Sequence, residues 1–99
     1  MTNMALFVVQ HRHQPENCPA RDEQMGPMLI DHLSPANASK YGITIQGEAV
    51  IDGAHTLYVI LEAPNQMNVR QFMEPFARAG TVEVLPASTC EAVVERKVC

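Results

Sequence analysis

His11, His13 and Cys18 are the residues whose types and spacing suit chemistry, and they share one short stretch, Phe7-Val8-Val9-Gln10-His11-Arg12-His13-Gln14-Pro15-Glu16-Asn17-Cys18-Pro19. Phe7, Val8 and Val9 are β-branched or aromatic with no breaker and read as strand interior. Side chains on a strand alternate faces, so His11 and His13 project to one side, roughly 6.6–6.8 Å apart along the backbone. Two imidazoles at that separation can converge on one ion. Pro15 then ends the ladder, and Cys18 follows in a loop able to fold back over the pair. Zinc takes imidazole nitrogen and thiolate sulfur at four-coordinate geometry, with Cys90 or water to complete the set. Copper, iron and nickel accept the same donors, and donor type alone does not choose among them. Two other readings stand beside this one. The histidines can lie at a solvated strand end with Cys18 an ordinary buried thiol, or one of them can serve as a general base.

The remaining chemistry-bearing residues offer less. Cys90 lies near an expected helix N-terminus, where backbone amides and the helix dipole stabilise a thiolate; the plainer alternative is a small apolar residue under the tail. Glu16 flanks the histidines and is able to orient one of them. His32, on the apolar side of a helix, and His55, in a hairpin turn, read as surface or satisfied-core histidines rather than ligands. Arg12, Arg21 and Arg70 do not cluster, and the sequence holds no phosphate loop, nucleophile elbow or dinucleotide fingerprint.

The elements that must position these residues can be read in order. Strand one spans about Met4 to His13. A polar segment from Gln14 to Gly26 leads to a helix with Pro27 in its first turn and Met28, Leu29, Ile30 and Leu33 as its apolar face. Ser34-Pro35 restarts it, and Gly42 ends it. Ile43 to Ile51 alternates as a half-buried strand, Asp52-Gly53 supplies a tight turn, and Thr56 to Leu61 returns apolar enough to sit centrally. Asn65 caps a second helix with Val69, Phe72, Met73, Phe76 and Ala77 on one stripe, bent or shortened at Pro75. Thr81 to Leu85 forms the last strand, ended by Pro86. Ser88 and Glu91 have capping-box spacing for a short helix from Thr89 to about Lys97.

Strand, helix, strand, strand, helix, strand is the split βαβ order of a ferredoxin-like α+β domain. Residues 1–86 would form the core of one domain over 1–99, and 87–99 a tail. Both helices would cover one face of the antiparallel sheet and leave the other bare, with many of Phe7, Val9, Ile45, Ala49, Val59 and Leu61 pointing that way. An apolar patch of that size predicts a symmetric homodimer.

Length and charge bound the partners. Ninety-nine residues make one domain, and a net charge of −4 without a basic run argues against nucleic acid. No apolar run approaches the roughly 18 residues of a membrane span. Met1 to Val9 lacks a basic start and is too short for a signal peptide, so a cytoplasmic protein is expected. Three cysteines without paired spacing read as free thiols.

Gly47-Glu48-Ala49-Val50, the return from Thr56-Leu57 into Leu61-Glu62-Ala63, the Phe72 helix and Val82-Glu83-Val84-Leu85-Pro86 together resemble a bacterial domain-of-unknown-function family. Its members are small dimeric α/β-barrel proteins, often labelled sulfite oxidase; a chain this short offers no molybdopterin domain for that label. The resemblance implies the fold and the dimer, and no activity.

The leading expectation is a homodimer that binds a transition metal, zinc foremost, through His11, His13 and Cys18 with Cys90. The competing one is an enzyme, or a module for haem or another hydrophobic small molecule, that uses a pocket between sheet and helices lined by Met28, Phe72, Met73 and Phe76. A third is an interaction module in which the histidines are merely solvated.

Overall fold

Alternating apolar residues build the sheet, and the structure, a computed structural model, describes residues 4–99 of the chain. Among those residues β1 (Ala5–Arg12), β2 (Thr44–Ile51), β3 (Thr56–Ala63) and β4 (Thr81–Ala87) form one antiparallel sheet in the order β2-β3-β1-β4. With its helices on one side this is the ferredoxin-like α+β arrangement. Phe7, Val9 and His11 of β1 stand opposite Leu61, Val59 and Leu57 of β3. On β4 their partners are Pro86, Val84 and Val82. That row faces the helices and is buried in its centre, where it meets Val69, Phe72, Met73 and Phe76.

The helices start where side chains satisfy free backbone donors. Ser34 Oγ accepts from the Asn37 amide and opens α2 (Pro35–Ser39), which follows α1 (Met25–His32). Asn65 Oδ1 accepts from the Asn68 amide and opens α3 (Gln66–Phe72). Pro75 cannot donate within a continuous helix, and the chain breaks at Met73 before α4 (Glu74–Ala77). Thr89, rather than Ser88, caps α5 (Cys90–Arg96) through the Ala92 amide, while Ser88 accepts from Arg96.

Several expectations change. Phe7, Val9, Ile45, Val59 and Leu61 do not lie on the bare face; they face the helices, because the burial of β1 and β3 puts these positions inward. The bare face instead carries Val8 beside Ile60 and Leu85, with Leu6 and Tyr58 nearby. The alternation of β2 is interrupted by a bulge between Ile45 and Gly47, which places Glu48 opposite Val59 and Val50 opposite Leu57. A bulge adds one residue to one strand and so reverses the faces beyond it. On the helices, Met28 and Ile30 are exposed and Leu29 alone of that face is buried; Ala77 is likewise exposed. Strand β4 runs through Pro86 to Ala87, which an edge strand allows because the missing N–H can face away from the sheet. No helix among the described residues is long and apolar enough to cross a membrane.

Candidate metal centre and adjoining cleft

Three separate segments converge at one end of the sheet. β1 ends at Arg12, so His13 is the first residue beyond it. Two 3-10 turns, Pro15–Asn17 and Pro19–Arg21, then fold the chain over that end with Cys18 between them. Each turn begins with a proline whose fixed φ suits a helical first position. The third segment is the loop Asp52–His55 joining β2 to β3. Gly53 (φ 74°) and His55 (φ 51°) both take left-handed backbone there. For histidine this conformation is uncommon and costs energy. The His13 amide donates to the His55 carbonyl at 3.2 Å, which pins the loop to the end of β1.

One ligand atom each from His13, Cys18 and His55 lies within 4.8 Å of the others, and this group can hold a metal ion. His55 Nδ1 is 3.2 Å from His13 Nε2, their ring centroids 5.1 Å apart. Zinc binds imidazole nitrogen at about 2.0–2.1 Å, so two such ligands on a tetrahedral ion sit about 3.3 Å apart. The observed spacing fits. Without an ion, the same spacing allows one ring N–H to donate to the other nitrogen.

Of the residues expected to bind metal, the structure brings His13 and Cys18 together and adds His55. His11 lies beside them, its ring centroid 5.5 Å from that of His13, but outside the group. Arg12 ends the strand, so alternation no longer governs where the His13 side chain goes. Cys90 is not brought to this end. It follows the end of β4 that pairs with Leu6, about seven strand residues, or roughly 20 Å, from His13. Cys18, Cys90 and Cys99 are all free. His55 is the residue that the sequence reading missed. Its signal lay in the strand order: β3 returns beside β1, with Thr56 opposite Arg12, so the residue before Thr56 must flank His13.

The histidine environments differ. His32 is a satisfied core residue, stacked on Phe72 at 4.7 Å; its Nε2 donates to the Phe72 carbonyl and its Nδ1 accepts from Asn37. His11 is 2% exposed, and its Nε2 and the Nδ1 of His13 are buried without hydrogen-bond partners among the described residues. Burial holds the His11 pKa below the ordinary 6.5, against a backbone hydrogen bond at Phe76 that raises it; nearby His13 adds to the depression. His13 is also lowered, by burial first and then by His55. Lowered pKa values mean that the unfolded chain binds these protons more readily. Stability is therefore full above pH 6.5 and falls as pH drops from there through the folded values. Denaturant midpoints of metal-free protein are expected to decline between pH 7 and 5, and His11→Phe to flatten that decline.

These residues open onto a cleft of about 580 Å³ that Leu29, Ile30, Val50, Leu57 and Phe76 line. Phe72 and Met73, expected to line a pocket, are instead closed inside the core, because α3 and α4 pack directly on the sheet. Met28 borders a separate hollow with His32 and Pro75. Only Phe76 of the expected four reaches the cleft.

Compared with protein-family models, curated proteins and solved structures, the chain has no match.

Proposed function

We propose that this chain binds one transition metal ion, zinc foremost, through His13, Cys18 and His55, for metal handling or a metal-dependent reaction. The observation that carries this reading is the convergence of three ligand atoms from three segments within 4.8 Å. A set of two imidazoles and one thiolate is a zinc-type donor set, and three protein ligands leave a fourth position for water or substrate. Cobalt substitution tests the site. A tetrahedral cobalt centre with one thiolate has intense visible bands and a sulfur-to-cobalt charge-transfer band in the near ultraviolet. Cys18→Ser should remove the charge-transfer band. An octahedral spectrum indifferent to Cys18 would sink the reading.

We further propose a cytoplasmic homodimer that pairs bare sheet faces, in keeping with the proposed likeness to small dimeric α/β-barrel proteins. Ile60 and Leu85 are 42% and 44% exposed on either side of Val8, an apolar row across three strands. Arg12 and Glu62 share that face at opposite ends of the β1–β3 pair. A two-fold axis across the strands would set each against its opposite in the second copy, which makes the face self-complementary. Ile60→Glu is expected to give a folded monomer by light scattering, where the parent chain gives a dimer. A monomeric parent chain would contradict this.

A further inference from the structure

The cleft carries chemistry of its own, apart from the metal group. Its volume falls within the range of small-molecule sites. Ile30 of α1 and Val50 of β2 form opposing walls, and Val50 is turned inward by the bulge in β2. The inner end is aromatic: His11 meets Phe76 edge-on at 5.3 Å and lies beside His13. Glu48 and Asp52 stand along the lining, which among the described residues includes no Lys or Arg. An anionic ligand would meet repulsion there and find no counter-charge.

His11 is the decisive residue. It is 98% buried and lines the cleft, yet its Nε2 has no partner among the described residues. The backbone hydrogen bond at Phe76 engages the other nitrogen, since Nε2 makes none. A backbone carbonyl only accepts, so Nδ1 carries the proton and Nε2 presents a lone pair. A buried acceptor left unmet is costly, and a ligand that supplies a donor is favoured by that amount.

We propose that the cleft binds a neutral aromatic alcohol, its rings between Ile30 and Val50 and its hydroxyl donating to His11 Nε2. This goes beyond the metal reading, because His11 lies outside the metal group and the contact needs no ion. Equilibrium binding of 1-naphthol, 1-methylnaphthalene and 1-naphthoate to the full chain tests it, with chelated and with zinc-loaded protein. In both forms 1-naphthol should bind about tenfold more tightly than 1-methylnaphthalene, and 1-naphthoate more weakly than either. His11→Phe should bring the first two probes level. Ile30→Trp, at an exposed wall position, should weaken both by tenfold or more, which keeps the test decisive if His11→Phe fails to fold. Equal affinity for the first two probes in the parent chain, or a preference that survives His11→Phe, would overturn the proposal. So would a preference seen only with zinc, since the hydroxyl would then sit on the ion. Loss of metal binding with the preference intact would sink the metal reading alone.

Discussion

His55→Gly is expected to lower metal affinity by at least about 100-fold while the fold persists. Altering groups that merely support a ligand typically costs 10–100-fold, and removing one of three ligands should cost no less. Glycine is the informative replacement because His55 has φ 51°, a backbone conformation that glycine adopts without strain. An alanine there would keep the strain and confuse a folding defect with a lost ligand. The carbonyl of residue 55 would still accept from the His13 amide, so the loop stays anchored. The metal-free variant should therefore unfold within about 1 kcal/mol of the parent. Cys90→Ser supplies the contrast and should leave metal affinity unchanged. Isothermal titration with zinc on the three proteins measures this; equal affinities for the parent and His55→Gly would exclude His55 as a ligand.

Gly80→Ala is expected to destabilise the chain by about 3 kcal/mol or more, the upper range for overpacking. A methyl group at position 80 would lie 2.0 Å from the Arg12 carbonyl oxygen and 3.0 Å from the His13 Cα. Both are backbone atoms of the central strand, held on its two sides by β3 and β4. Neither can rotate away as a side-chain tip can. For a domain of this size such a loss lowers Tm by roughly 10–20 °C. Whatever movement relieves the overlap must displace His13, so metal affinity should fall with stability. Gly47→Ala is the control, since nothing lies within 4 Å of the added methyl; thermal melts should separate the two clearly. Comparable melts for Gly80→Ala and the parent would show that the end of β1 yields.

The fold was legible where a local rule decided the outcome. Ser34 and Asn65 read as caps because their side chains reach the backbone three residues on, and they do so. Pro75 read as a helix break for its missing donor. Faces were less legible, because one extra residue at the β2 bulge reverses every side chain after it and leaves no mark in composition. The same holds for the bare sheet face, where alternation defines two sets but not which one meets the helices. The candidate site divides in the same way. His13 and Cys18 are near in sequence and stood out together. His55 is 42 residues from His13; its place follows from β3 lying beside β1, a relation between strands rather than a spacing along one. Gly80 read as a helix stop, whereas its lack of a side chain matters because the Arg12 carbonyl packs against it.

Elemental analysis of untagged protein, purified without added metal or chelator and then offered zinc, tests the metal centre most directly. The geometry of His13, Cys18 and His55 within a single chain predicts close to one ion per chain, falling to near zero in His55→Gly. A preparation that stays free of zinc, copper, iron and nickel after each is offered would contradict it.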